Sequence, residues 1–302
     1  MLIPGNWGTK SGVRARGTGH RRAWCHGTGE RGPSVTGPER EGLVSRFPVL
    51  LRIDPALRFF LAPRNRAGAV EIAYDGTASL GHVIESVGVP LPEAGDLHIG
   101  QRPASPAERI PPGQPVTVFP VRRPQSLPCD PPRFCLDVHL GTLARRLRLL
   151  GLDTSYRNDA DDDELIHQAT EEARALLTQD RGLLRRRALP FGAYVRGAEP
   201  DLQLRDVLDR FAPPLSPWTR CGDCNGMLLP AAKEQIEHGL QPGTRRTYDS
   251  FAQCQSCGRL YWRGAHARRL TALVDWSRQV VAARRRESPP PPSPAVRTSP
   301  GR

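Results

Sequence analysis

Apolar residues recur with two different periods along the middle of this chain. Pro48-Val-Leu-Leu-Arg-Ile53 reads as a strand, and Ala56–Ala62 as a short helix or irregular segment. Ala69-Val-Glu-Ile-Ala-Tyr74 alternates as a strand does and stops at Asp75-Gly76. Ser79 is placed to cap a helix over Leu80–Val87, closed by Gly88, and strands follow at Leu97–Ile99 and Pro115–Phe119. After a Pro-rich stretch the period lengthens. Phe134–Asp137 is a short apolar strand. Leu140, Leu143, Ala144, Leu147 and Leu150 then mark one face of a helix, with Arg145, Arg146 and Arg148 off that face. Asp153–Tyr156 is a second strand, residues 162–174 a helix buried through Leu165, Ile166 and Ala169, and Ala175–Thr178 a buried strand. Gly192–Val195 and Asp201–Phe211 give one further strand and an amphipathic helix.

These elements predict an α/β protein of several units. The β-β-α-β-β order of residues 47–122 is the β-grasp layout of ubiquitin-like proteins. It is similar to the sulfur carriers of thiamin and molybdopterin synthesis, but it runs on through Val118–Arg122 with no terminal Gly-Gly. A docking or substrate-presenting module is expected, with a protein partner for it; a unit that only packs against its neighbour is the alternative. Residues 123–132 form a Pro-rich linker. The β-α-β-α-β alternation of residues 133–216 calls for a parallel sheet with helices on both faces. Functional residues of such sheets gather beyond the carboxyl ends of the strands, where Asp137 and Asp180 fall. The acidic run Asp159-Ala-Asp-Asp-Asp-Glu164 opens the helix between them. Carboxylates gathered at one edge repel unless a cation joins them, and hard divalent ions prefer oxygen ligands. The pattern points to a metal-dependent nuclease.

Residues 217–276 carry different chemistry. Cys221-Gly-Asp-Cys224 and Cys254-Gln-Ser-Cys257 are paired CxxC motifs, each followed by Gly or Asn-Gly for a tight turn. Cys221, Cys224, Cys254 and Cys257 are the four thiolates of a structural Zn²⁺ ribbon, with a redox CxxC as the alternative. His238 and His266 are then superfluous as ligands. Tyr261, Trp262, Arg263 and Arg268 combine rings and cations, as an RNA-binding surface does. Tyr261 and Trp262 equally suit packing beneath a small ribbon.

The net charge of +12 changes this picture little. Residues 1–46 contribute +5 and residues 277–302 another +5, leaving a nearly balanced middle. The two ends read as disordered segments, basic at the start and Arg/Pro-rich at the finish. Cys25 and His26 lie in the first without a metal-binding pattern. No stretch reaches the ~20 apolar residues of a membrane span, and no signal peptide is visible. Unpaired cysteines without an export signal suit a reducing compartment, the cytoplasm.

Phe134-Cys-Leu-Asp137, His139–Gly151, Leu176-Leu-Thr-Gln-Asp180 and Cys257-Gly-Arg-Leu-Tyr-Trp-Arg-Gly-Ala-His266 together resemble the Mut-seven-C family over roughly residues 48–276. That family joins a PIN-like ribonuclease domain to a zinc ribbon, often behind a ubiquitin-like domain. The resemblance implies hydrolysis of RNA with Mg²⁺ or Mn²⁺, endonucleolytically, at Asp137, Asp162 and Asp180. Asp162 is singled out because Asp162, Leu165 and Ala169 fit the Asp-x-x-Leu-x-x-x-Ala pattern. Asp163 and Glu164 are its substitutes should the register slip. Arg145 and the ribbon residues are expected to hold RNA. The competing expectation is a non-catalytic RNA- or protein-binding adaptor on a degenerate PIN core.

Overall fold

The computed structural model describes residues 46–264 and 267–287. The expectations for residues 1–45, His266 and residues 288–302 lie outside the described residues. The first unit runs β1 (Phe47–Ile53), β2 (Ala69–Tyr74), α1 (Leu80–Ser86), β3 (Ala94–Ile99), β4 (Arg102–Pro103) and β5 (Val116–Pro120), in strand order β2-β1-β5-β3-β4. β1 and β5 run parallel at its centre and the remaining pairs are antiparallel. Ser79 caps α1 by accepting from the His82 N–H, as its position in the sequence implies. Residues 55–60 form a 3₁₀ helix that places Phe59 and Phe60 at one end of the sheet.

The second unit comprises β6 (Arg133–Leu136), α2 (Gly141–Leu149), β7 (Asp153–Tyr156), α3 (Asp162–Glu171), β8 (Ala175–Thr178), α4 (Arg181–Leu184), β9 (Gly192–Tyr194) and α5 (Pro200–Phe211). Its four strands are all parallel, in the order β7-β6-β8-β9. Alternation along β6 and β8 separates two cores. Phe134, Leu136, Ala175 and Leu177 face α2 and α5, while Cys135 and Leu176 face α3. α3 ends earlier than its sequence pattern implies. Ala173 adopts a left-handed φ of 49°, and Arg174 N–H bonds back to Ala169 O before β8 begins.

The last unit is a three-stranded antiparallel sheet, β10 (Leu228–Ala231), β11 (Phe251–Cys254) and β12 (Leu260–Trp262). Two short helices, α6 (Lys233–Ile236) and α7 (Pro242–Thr247), lie between the first two strands, and α8 (Ala267–Glu287) follows. α8 overturns one expectation: residues 277–287 continue a helix of 21 residues instead of starting a disordered tail. Val274, Ser277 and Val281 are buried on the core beside α5. The Arg-rich end is held by acceptors of the second unit. Arg284 Nε donates to Asp209 at 2.7 Å, and Arg285 to the Ala212 carbonyl that ends α5 at 2.9 Å.

The units are joined by buried polar contacts. Glu93 and Arg210 pair at 2.6 Å with both side chains 1% exposed, and Glu93 also accepts the Tyr194 N–H of β9 at 2.9 Å. The segment after β5 does not swing free. Arg123 pairs with Asp206 and Asp209 on α5, and the Gln125 side chain accepts from Arg210.

Candidate active site and metal centre

Asp137 leaves β6 as the N-cap of a single 3₁₀ turn and is only 6% exposed. A buried carboxylate needs partners. Its backbone N–H reaches Leu177 O, and its Oδ2 accepts the Thr178 hydroxyl at 2.6 Å. The same hydroxyl oxygen accepts the Asp180 N–H at 2.8 Å. Thr178, the fully buried last residue of β8, thus ties Asp137 and Asp180 into one constellation. Asp180 caps α4, its Oδ1 accepting from Gly182 N–H at 2.6 Å.

Asp162 opens α3 and is exposed. Partial burial, then the charges of Asp180 and Asp137, raise its pKa above the ordinary value. The three carboxylates therefore share one electrostatic neighbourhood at the carboxyl edge of the sheet. They do not form a closed ligand set. Among the described residues, the metal-capable group whose ligand atoms all lie within 4.8 Å of one another is the four cysteines. The neighbouring acids are committed elsewhere. Asp161 and Glu164 form a capping box on α3, Glu164 also pairs with Arg157 at 2.9 Å, and Asp163 pairs with Arg186. Oxygen donors of mutually repelling carboxylates fit a hard divalent ion.

Cys221, Cys224, Cys254 and Cys257 converge, with Sγ–Sγ distances of 3.7 Å for Cys221–Cys257 and 3.4 Å for Cys224–Cys254. A tetrahedron of ~2.3 Å Zn–S bonds separates its sulfurs by about 3.8 Å, so the set fits Zn²⁺. All four are free thiols. Asn225 takes a left-handed φ of 69° in the first turn, and a Cβ on Gly226 would lie 2.8 Å from Cys254 Sγ. Burial works to raise the Cys221 pKa, but the Cys224 N–H and the Tyr261 hydroxyl outweigh it and bring the thiol down to about 7.

One expectation about the rings is corrected, and one cation off the apolar face of α2 finds buried partners. Tyr261 is 2% exposed, and its hydroxyl lies 2.8 Å from Cys221 Sγ and accepts the Gly222 N–H at 3.1 Å. It supports the cysteine cluster and presents no face for an RNA base to stack on. Arg148 does not project from α2 into solvent. It is 3% exposed and donates to Thr154 O at 2.8 Å and to Asp223 O at 2.6 Å. Trp262 is half-buried beside Phe251, whereas Arg145, Arg263 and Arg268 are exposed.

Sequence reasoning passed over Thr178, which reads as one more β-former in Ala-Leu-Leu-Thr. Its only signal is a hydroxyl at the strand end, two residues before an aspartate. It also passed over Asn225, whose side chain accepts the Thr154 N–H at 3.0 Å and donates to Asp153 at 2.9 Å. With the Arg220–Asp153 pair at 3.1 Å, these contacts dock the first cysteine turn on β7.

Comparison with known proteins gives two matches. The Mut7-C RNAse domain model matches residues 132–274, and the Mut7-C ubiquitin model matches residues 48–126. No curated protein and no solved structure matches significantly.

Proposed function

We propose, for a chain that carries a Mut7-C RNase domain behind a Mut7-C ubiquitin domain, that it hydrolyses RNA phosphodiester bonds at Asp137, Asp162 and Asp180. The observation that carries this reading is the Thr178 hydroxyl, which fixes Asp137 and Asp180 together where Asp162 senses both charges. Mg²⁺ or Mn²⁺ held by these carboxylates would supply water activation and neutralise charge developing on the phosphate. The chain's own part is positional. The Thr178 bond leaves the Asp137 carboxylate one settled orientation, and the α4 cap does the same for Asp180. Internal cleavage, rather than trimming from an end, is part of this proposal.

Zn²⁺ on the four cysteines is assigned a structural role, since four thiolates leave no open position. Metal analysis of purified protein should find about one zinc per chain. The test of the nuclease reading is cleavage of a circular RNA with Mg²⁺ or Mn²⁺, which only an endonuclease can open. Asp137→Asn and Asp180→Asn, each folded by circular dichroism, should abolish it. Undiminished cleavage by both would sink the site assignment. RNA binding without cleavage under either metal would leave an adaptor.

A further inference from the structure

Arg196 stands two residues beyond β9, on the strand-end edge that also carries Asp137 and Asp180. Its half-buried guanidinium makes neither an ion pair nor a hydrogen bond with any described residue, and its Nε is buried without a partner. Its observed contact is with the ring of Phe59, 4.9 Å from the guanidinium carbon, and Phe59 belongs to the ubiquitin-like domain. The carboxylates whose charge reaches Arg196 are already engaged. Asp206 pairs with Arg123 and accepts the Arg196 backbone N–H, and Glu93 pairs with Arg210. A cation in this setting is usually paired.

The guanidinium lines a cleft of about 380 Å³ between the two domains, walled by Phe59, Gln179, Tyr194, Gly197 and Ala198. Gln179 joins the cleft to the carboxylates, because it stands between Thr178 and Asp180. Its side chain donates to Val195 O and Gly197 O, fixing the loop that carries Arg196. Phe59 is itself anchored beside Asp180: Arg181, the next residue, donates to Phe59 O at 3.1 Å and Phe60 O at 2.9 Å.

We propose that this interdomain cleft binds an internal phosphate of the RNA strand through Arg196, with Phe59 of the ubiquitin-like domain as the platform that holds the guanidinium. The substrate identity rests on the ribonuclease reading above. The physical need is clear: three carboxylates repel a polyanion, and a positioned guanidinium on the same edge offsets that repulsion. It also gives the ubiquitin-like domain a part in substrate binding, through a ring that no periodicity argument marks.

The test measures binding, not cleavage. Full-length Asp180→Asn protein is titrated into fluorescein-labelled single-stranded RNA over a range of salt. Adding Arg196→Gln should weaken binding about tenfold. It should also flatten the dependence of log affinity on log salt by about 0.7, the release of one counterion from a single strand. Arg196→Lys should restore the slope, and Phe59→Leu should weaken binding while keeping the melting temperature. RNAs with a 5′-phosphate and a 5′-hydroxyl should lose affinity equally. A loss confined to the 5′-phosphorylated RNA would assign the cleft to a terminal phosphate and overturn the internal one. Folded Arg196→Gln with unchanged affinity and slope would overturn the site altogether, as would wild-type protein that binds no RNA. If Arg196→Gln leaves affinity and slope unchanged while the wild type cleaves RNA, the nuclease reading stands alone. If Arg196-dependent binding appears without cleavage, the cleft stands and the nuclease reading falls.

Discussion

The guanidinium of Arg148, on the second unit's first helix, donates to the carbonyl of Asp223 inside the first cysteine turn, 2.6 Å away. A second bond from the same side chain, to Thr154 O at 2.8 Å, ties the edge strand β7 to that turn. The first cysteine turn and the parallel sheet therefore share one buried cation. Its guanidinium is desolvated, which lowers its pKa below the usual arginine value.

Arg148→Met should consequently destabilise the parallel sheet and not only the ribbon. Loss of charge-assisted bonds to buried carbonyls costs about 2–3 kcal/mol. The expected outcome is a lower urea midpoint for the whole chain, with zinc binding weakened in parallel. A variant with unchanged stability and unchanged zinc affinity would show the contact to be incidental.

Asp153 supplies a pH signature for the same junction. Burial works to raise its pKa, but the bonds from Arg174 and Asn225 and the charges of Arg174 and Arg220 hold it below its ordinary 3.8. A depressed carboxyl contributes stability that is complete above the unfolded value and is lost as pH falls through the folded one. Asp153→Asn should therefore be less stable than wild type at neutral pH. The gap should close as pH drops below about 4, where the wild type loses the same interaction. Denaturation curves at a series of pH values measure this, and a gap independent of pH would count against it.

Thr178→Val removes the hydroxyl that bridges Asp137 and Asp180 at nearly constant volume. Groups that orient metal-binding side chains are worth roughly 10–100-fold when lost. The turnover number should fall by that order with KM little changed, and the Mn²⁺ concentration for half-maximal rate should rise. Thr178→Ser should recover most of the loss. A valine variant with wild-type metal dependence would mean that the bridge does not position Asp137.

Glu93 and Arg210 are both fully buried where the ubiquitin-like domain meets β9 and α5. Removing one charge alone leaves the other uncompensated, at a cost of roughly 3–5 kcal/mol. Arg210→Met should thus be strongly destabilising, and Glu93→Gln combined with it much less so. A double-mutant cycle by chemical denaturation reads the coupling. Strict additivity would show that the pair does not hold the domains together.

Sequence by itself determined the elements whose burial is local and periodic. The alternation of Ala69–Tyr74, the stripe Leu140–Leu150 and the paired CxxC spacing each encode one face or one turn, and the structure contains all three. Strand-end aspartates were legible because an apolar run stops at each. The placement of long polar side chains was not legible, because it depends on a partner far away in the chain. Arg148 reads only as a residue off the apolar face until Gly222 and Asp223 bring carbonyls to it, 74 and 75 positions on. The Arg-rich residues after 276 read as a tail until Val281 meets the core and Asp209 and Ala212 offer acceptors. Tyr261 carries the same local signal whether it faces RNA or a thiolate, and only the folded ribbon chooses the thiolate. Periodicity reports which face of an element avoids water. Which buried cation or hydroxyl is paid for depends on tertiary contacts, and these decided Thr178, Arg148 and Arg196.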